Sequence, residues 1–168
     1  MTEKLYDKDS HLKEFTSRVI SSEKTERGWE TVLESTAFFP EGGGQGSDRG
    51  VLGSATVTDV QMIDGKIIHI TDRPLTQGTE VKGVIDWERR FDFMQQHSAE
   101  HIVSGVAHKL YGCENVGFHL SEDIVTLDFD KPLSFEDITR IERLANQAVF
   151  KNAAVKTYYP TEDDLKEI

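Results

Sequence analysis

The chain has 168 residues, of which 37% are hydrophobic, and its formal net charge at pH 7 is −11. This length allows one good hydrophobic core, which two subdomains could share. The negative charge argues against tight, non-specific binding of nucleic acid, because such binding needs several lysines or arginines on the phosphates. The negative charge is still compatible with a nucleic-acid substrate that is bound by a few local basic residues.

Three features of the sequence together predict a cytoplasmic protein with no membrane partner. It contains no run of 18 apolar residues, so no segment is long enough to span a bilayer as a helix. The polar N-terminus lacks the apolar stretch of a secretory signal. The single cysteine, Cys113, excludes an intrachain disulfide, and we expect it to be a reduced, partly buried thiol.

The pattern of residues 1–86 predicts an antiparallel β-subdomain. Residues 12–39 alternate unevenly between apolar and polar, and Arg27-Gly28 interrupts them, which indicates strands joined by a turn. Because several strands follow one another with short turns, we expect a curled or barrel-like sheet. Further strands are expected at residues 51–62, 66–71 and 81–86, with a hairpin turn at Asp64-Gly65.

Residues 40–50 form a glycine-rich segment between these strands, with the sequence Pro-Glu-Gly-Gly-Gly-Gln-Gly-Ser-Asp-Arg-Gly. So much glycine is incompatible with a regular helix or an inner strand, so the segment is predicted to be a shaped loop. No Gly-Lys-Ser/Thr follows, and the third glycine of a dinucleotide fingerprint is missing. The loop therefore matches neither of the common nucleotide-binding motifs.

Residues 87–168 predict helices alternating with strands. A helix is expected over Trp87–Tyr111 with Gly112 as its C-terminal cap, followed by a strand at residues 124–129 and a second helix capped by Ser134. The expected buried stripe of that second helix is Ile138, Ile141, Leu144, Ala145, Ala148 and Val149.

The end of the sequence predicts one more strand at residues 154–159 and the start of a third helix at residue 161. Because this helix would begin only seven residues before the C-terminus, we expect the chain to be an N-terminal fragment of a longer protein.

His97 and His101 are four residues apart within the first predicted helix, so their imidazoles are expected on one face. Neutral imidazole binds zinc well, and catalytic zinc sites commonly have three protein ligands and a water. Two other interpretations are open. The histidines could have unrelated structural roles, or, with Glu100 as general base, they could form the His-x-x-Glu-His motif of an inverted zincin peptidase. A peptidase needs a third ligand and a large substrate chamber, and little chain follows His101 to supply them.

Two motifs together resemble the alanyl-tRNA editing domain family, which includes the editing domain of alanyl-tRNA synthetase and the free-standing AlaX-type proteins. They are Thr-Ala-Phe-Phe-Pro-Glu-Gly-Gly-Gly-Gln at residues 36–45 and Gln-His-Ser-Ala-Glu-His at residues 96–101, supported by Asn-Val-Gly-Phe-His at residues 115–119. The resemblance implies an α+β fold, in which a glycine-rich antiparallel β-barrel-like subdomain (1–86) precedes an α/β two-layer sandwich subdomain (87–168). It implies a zinc-dependent hydrolase that cleaves serine or glycine from mischarged alanine-specific tRNA.

The resemblance also implies the residues of the site. His97 and His101 match the first half of the family's zinc ligands and would act in catalysis through the bound metal. The second half, a Cys-x-x-x-His element, is absent, because Gly117 stands where Cys113 would need a histidine. The expected substrate contacts are Thr36, Gly43, Gly44, Gln45 and His119, among which Thr36 would recognise a seryl hydroxyl.

The remaining expectations concern neighbours and partners of this site. Glu100 is expected to orient one of the histidines, and Arg89 and Arg90 are candidates for a local patch that binds tRNA. An alternative of another class is a module that binds aminoacyl-tRNA without hydrolysing it, since its metal site is incomplete. The oligomeric state is open, with a homodimer through a missing C-terminal region as one expectation.

Overall fold

A computed structural model describes residues 2–121, 124–155 and 161 of the chain. Strands dominate the first half of the chain, and two helices with a two-stranded sheet follow. In chain order the elements are β1 (Glu3–Lys4), a 3₁₀ helix (Leu5–Asp7), β2 (Glu14–Thr25), β3 (Gly28–Leu33), β4 (Ser35–Thr36), β5 (Gly50–Leu52), β6 (Ala55–Ile63), β7 (Lys66–Thr71), β8 (Glu80–Ile85), α1 (Trp87–Tyr111), β9 (Asn115–Leu120), β10 (Val125–Phe129) and α2 (Phe135–Phe150).

Six antiparallel strands form a sheet that closes on itself. They pair in the order β2, β3, β7, β6, β5, β8, and β8 pairs back with β2. A separate parallel pair joins β1 to β4, and β9 pairs antiparallel with β10. The predicted α+β class and the mainly antiparallel pairing of the first half are therefore confirmed, whereas the two-layer sandwich of the second half stays a prediction.

The main hydrophobic core lies inside this closed sheet. Along β2 the residues Phe15, Ser17 and Val19 are buried while their neighbours are exposed, as the two-residue period of a strand requires. Phe38, which follows β4, is completely buried and packs edge-on against Phe15. The loop and the helix that follow are thus attached to a rigid support.

The strand expected over residues 51–62 is in fact two strands, β5 and β6, so this prediction was wrong. Gly53 adopts a φ of +60° between them, a conformation that glycine reaches without steric cost. The two short strands then pair with each other as a hairpin. The sequence pattern did not reveal the turn, because the buried residues of both strands are apolar and resemble one continuous strand.

Helix α1 begins and ends where the sequence predicts. The Asp86 side chain accepts a hydrogen bond from the Arg89 backbone N–H at the N-terminus, and Gly112 is the left-handed C-cap. Ser134 caps α2 in a capping box with Asp137. Strand β9, by contrast, is an element that the sequence analysis did not anticipate.

The buried stripe predicted for α2 is only partly correct. Ile141 and Ala145 are buried, and Ile141 packs with Ala107 and the free thiol of Cys113, which is itself buried. Ile138 and Val149, however, are 52% and 55% exposed. The middle of the predicted stripe is therefore buried, whereas Ile138 and Val149 near its ends are exposed.

The strand expected at residues 154–159 and the third helix expected from residue 161 lie almost entirely outside the described residues. Among the helices that are described, none has the length and apolar character needed to cross a membrane.

Candidate metal centre

The structure brings His97 and His101 together on one face of α1. Their ring centroids are 5.0 Å apart and their planes differ by 26°. Glu100 joins them, and one donor atom from each of the three side chains lies within 4.8 Å of the others. Within the described part of the chain, this is the only such group of three histidine, cysteine or acidic side chains.

The two imidazoles have different neighbours at their Nδ1 atoms. His97 Nδ1 lies 2.9 Å from Gln45 Oε1, and because an amide oxygen can only accept, Nδ1 carries the proton. His101 Nδ1 lies 3.1 Å from Glu100 Oε2, next to which a proton on Nδ1 is likewise favoured. The lone pair of each ring is then on Nε2. Metal-binding histidines are commonly oriented in this way by an amide or carboxylate on the other nitrogen.

Glu100 is a buried carboxylate with one oxygen left without a hydrogen bond. Its Oε1 accepts from Ser104 Oγ at 2.5 Å and from Asn115 Nδ2 at 2.6 Å. Its Oε2 is buried and has no aligned donor, although His101 Nδ1 is close. An unsatisfied buried carboxylate oxygen is costly. A cation beside the imidazoles would offset that cost, and the set of nitrogen and oxygen donors fits zinc.

Burial also favours the neutral, metal-binding form of His97. Desolvation lowers the pKa of His97, the neighbouring His101 lowers it further, and the charge of Glu100 opposes both effects. The nitrogen that faces away from Gln45 is therefore more often available as a ligand.

The glycine loop reaches this centre through Gln45. The backbone groups of Gly42 and Gln45 form two reciprocal hydrogen bonds of 3.1 Å, which close the loop. Gly44 has a φ of +77°, and its carbonyl accepts from the Leu120 N–H of β9 at 3.0 Å. A Cβ on Gly44 would lie 2.9 Å from the Phe118 carbonyl oxygen. Gly43 has no neighbouring atom within 4 Å of such a position, so its backbone is open to approach.

Thr36 lies apart from this surface, inside the closed sheet. It is completely buried, its hydroxyl lies 2.8 Å from His69 Nε2, and it accepts from the Phe38 N–H at 3.1 Å. His69 Nδ1 lies 3.0 Å from the Thr31 carbonyl. Since the carbonyl can only accept, Nδ1 carries the proton and the Thr36 hydroxyl donates to Nε2. The contact of Thr36 with a seryl hydroxyl stays a prediction.

The sequence analysis missed His69 because 33 residues separate it from Thr36. The alternation Ile67, His69, Thr71, in which all three residues are buried, is the signal that could have found it. A histidine at an inward-facing strand position needs polar partners, and Thr31 and Thr36 provide them here.

On β9, Phe118 rather than His119 contacts the imidazole pair. The rings of Phe118 and His97 are 5.4 Å apart. Neighbouring residues of a strand point to opposite faces, and His119 is exposed. The described contacts therefore do not bring His119 to the pair, and its role as a substrate contact stays a prediction.

The expected basic patch at Arg89 and Arg90 is wrong for Arg90. Its guanidinium is 3% exposed and forms a two-pronged ion pair with the buried carboxylate of Asp48, together with hydrogen bonds to two backbone carbonyls. Arg89 Nε donates to the Ser47 carbonyl at 3.1 Å, and its guanidinium lies 4.6 Å from the ring centroid of Phe93. Both side chains connect the helix to the loop, and Arg90 also supplies the opposite charge that the buried Asp48 carboxylate requires.

Comparison with known proteins finds similar sequences over most of the chain. Residues 5–89 match the family described as tRNA synthetases class II (A). The chain is 38% identical over 156 residues to alanyl-tRNA editing protein Aarsd1 of Bos taurus, which covers 84% of this chain and 35% of that protein. It is 40% identical over 165 residues to the alanine–tRNA ligase of Pyrococcus furiosus, covering 92% of this chain and 18% of the ligase.

A second alanine–tRNA ligase, from Ignicoccus hospitalis, is 34% identical over 165 residues, with 94% of this chain and 18% of that enzyme covered. The chain thus spans about a third of the length of the editing protein and less than a fifth of either ligase. The family match over residues 5–89 contains the glycine loop and the first residues of the helix that carries the imidazole pair. On these matches, the chain belongs to the alanyl-tRNA editing domain family.

Proposed function

We propose that this chain is a zinc-dependent editing hydrolase, which cleaves the ester between a seryl or glycyl group and mischarged alanine-specific tRNA in trans. The observation that carries the proposal is the cluster of His97, Glu100 and His101, to which Gln45 of the glycine loop is hydrogen-bonded. Support also comes from the relatives named as alanyl-tRNA editing proteins.

The side chains of the cluster would have different roles in binding the metal. His97 and His101 would bind it through Nε2, while Glu100 orients His101 and supplies negative charge next to the cation. Zinc in such a site supplies a Lewis acid that polarises an ester carbonyl and makes hydroxide available near neutral pH. Gly43, which is open to solvent, lets the backbone approach the substrate closely.

Selectivity for serine over alanine is assigned in this proposal to Thr36. Its oxygen donates to His69 and accepts from Phe38, which leaves one lone pair for a further donor. A site built around a substrate hydroxyl can reject the analogue without it by roughly 10⁴-fold. Because Thr36 is fully buried, the closed sheet has to admit the seryl group for this contact to form.

One observation favours a second candidate, a module that binds aminoacyl-tRNA without cleaving it. Among the described residues, the cluster offers two imidazoles and one carboxylate and includes no cysteine. The peptidase interpretation has no such support, since the Glu100 carboxylate is buried and already bound to Ser104 and Asn115. A general base needs access to a substrate water.

The deciding experiment measures hydrolysis of seryl-tRNA specific for alanine, with and without added zinc. We expect zinc-dependent cleavage, and we expect His97→Ala to lower kcat/KM by at least about 100-fold because it removes a metal-binding group. His108→Ala is the matched control, since His108 lies on the same helix, pairs with Glu114 and is outside the cluster.

Binding of a non-hydrolysable seryl-tRNA analogue, measured in parallel, separates the two candidates. Tight binding with no hydrolysis at any zinc concentration would establish the binding module instead. Full activity after exhaustive chelation of metal would contradict the zinc-dependent mechanism.

A further inference from the structure

Gln45 is the residue by which the glycine loop reaches into the imidazole pair. It is only 6% exposed, and its Oε1 lies 2.9 Å from the Nδ1 atom of His97, 52 residues away in sequence. A side chain so deeply buried, with its oxygen committed to a protein partner, is poorly placed to bind a substrate directly. Its geometry suits a role within the protein.

We propose that Gln45 is a positioning residue of the metal centre. By accepting the Nδ1 proton of His97, it fixes the tautomer and the orientation of the ring, so that Nε2 faces the cation. This inference rests on the proposed function, since it takes the imidazole pair to hold zinc. It replaces the substrate contact that the sequence suggested for Gln45.

The shape of the loop explains how Gln45 is held in place. The double hydrogen bond between Gly42 and Gln45 closes a tight turn, and Leu120 of β9 donates to the Gly44 carbonyl. Phe118 of the same strand lies against both Gly44 and the His97 ring. The imidazole is thus confined by an amide oxygen from the loop and by an aromatic ring from β9.

The second imidazole has only a weaker counterpart of this contact. Glu100 Oε2 lies 3.1 Å from Nδ1 of His101 without an aligned hydrogen bond, so its negative charge alone favours a proton on that nitrogen. The tautomer that a histidine adopts is set by the hydrogen bond of its other nitrogen. Without an acceptor at Nδ1, the His97 proton is free to move to Nε2 and block the ligand atom.

The test compares Gln45→Leu, which removes the acceptor at similar size, with Gln45→Glu, which keeps an acceptor oxygen. Gln77→Leu, at an exposed position in the turn before β8, is the control for substitution of a glutamine. The zinc dissociation constant of each protein is measured by competition with a chelator. We expect Gln45→Leu to weaken binding by about 10- to 100-fold, and we expect Gln45→Glu and Gln77→Leu to stay within a few-fold of the unaltered chain.

A second readout needs neither metal nor activity. Imidazole ¹⁵N chemical shifts of the metal-free chain report which nitrogen of His97 is protonated. We expect Nδ1 in the unaltered chain and in Gln45→Glu, and predominantly Nε2 in Gln45→Leu. Thermal melting of each variant verifies that it is folded.

Three results would overturn the inference: unchanged zinc affinity in Gln45→Leu, a proton on Nε2 of His97 in the unaltered chain, or equal losses in folded Gln45→Leu and Gln45→Glu. Absence of zinc binding by the unaltered chain would overturn it as well. If zinc binds and the proton is on Nδ1 but no ester is cleaved, the proposed hydrolase fails while the positioning role stands.

Discussion

At the scale of single residues, His69 is an ionisable side chain in the interior of the closed sheet. It is fully buried, and both ring nitrogens have partners, the Thr31 carbonyl and the Thr36 hydroxyl. Burial lowers the pKa of His69 to about 4, while the hydrogen bond to Thr31 opposes the shift. The ring is therefore neutral in the folded protein at pH values where it is charged in the unfolded chain.

This difference predicts a pH-dependent loss of stability. Because the pKa of His69 is lower in the folded state, its contribution to stability is fully present above pH 6.5 and is lost as the pH falls toward 4. The loss should reach about 3 kcal/mol at most. Denaturant unfolding of the unaltered chain and of His69→Gln at several pH values gives the difference curve, and a difference independent of pH would contradict the prediction.

Gln45 and Glu100 show which contacts of a side chain can be predicted from the sequence. The sequence marked Glu100 as a residue that orients a histidine, and its carboxylate indeed lies next to His101. For Gln45 it suggested contact with substrate, whereas the structure pairs it with His97. The first relation is local to one helix, and the second requires two distant segments to meet.

At the scale of elements, the glycine loop is shaped by two consecutive glycines with different surroundings. Gly43 and Gly44 both have positive φ, +57° and +77°. A side chain on Gly43 would meet nothing within 4 Å, but one on Gly44 would strike Phe118. The sequence shows only that both residues are glycine. The structure shows that position 44 requires glycine, because a side chain there would clash with Phe118.

These two glycines provide a matched pair of variants. Gly43→Ala should cost about 1–2 kcal/mol, because a Cβ disfavours positive φ. Gly44→Ala should cost more, since its Cβ also lies 2.9 Å from both a ring carbon and the carbonyl oxygen of Phe118. Free energies of unfolding from urea titration test the order, and equal values would show that Phe118 moves aside without cost.

Helices α1 and α2 are the elements whose ends the sequence predicts best. Capping depends on residues within one turn of the helix end, and Asp86, Gly112 and Ser134 all act as expected. The loop between β5 and β6 and the strand β9 were missed. Short strands take their identity from the partner that they pair with rather than from their own pattern.

At the scale of the whole molecule, a buried ion pair connects the glycine loop to α1. Asp48 is 1% exposed and Arg90 is 3% exposed, and the Asp48 carboxylate also accepts from the Phe39 N–H. Arg90 Nη2 donates to the Ala37 carbonyl at 2.7 Å. One guanidinium therefore connects the helix that carries the imidazoles to the chain on both sides of Gln45.

Removal of this guanidinium should destabilise the protein strongly. Arg90→Met leaves the Asp48 carboxylate buried without its counter-charge, and such losses typically cost about 3–5 kcal/mol. Arg73→Met is the control, because Arg73 pairs with Asp72 at the surface and should change stability little. Urea unfolding compares the two, and similar small effects in both variants would show that Asp48 finds other donors.

The same variant should also weaken zinc binding if it folds, since α1 and the loop would no longer keep a fixed separation. The effect would depend on a long-range contact, because Arg90 and Asp48 are 42 residues apart in sequence. The sequence analysis assigned Arg90 to a surface patch that binds tRNA, whereas the structure buries it.

The sequence by itself determined the family, the α+β class, the long helix and the pairing of two imidazoles on one of its faces. Each of these depends on a local pattern: a motif, a capping residue, or the 3.6-residue period of a helix. Only the tertiary structure decided that Gln45 holds His97, that His69 holds Thr36, and that Arg90 is a buried counter-charge. These contacts join residues 33 to 52 positions apart, and no periodicity of the sequence links such positions. Only closure of the sheet and docking of the helix bring them within hydrogen-bonding distance.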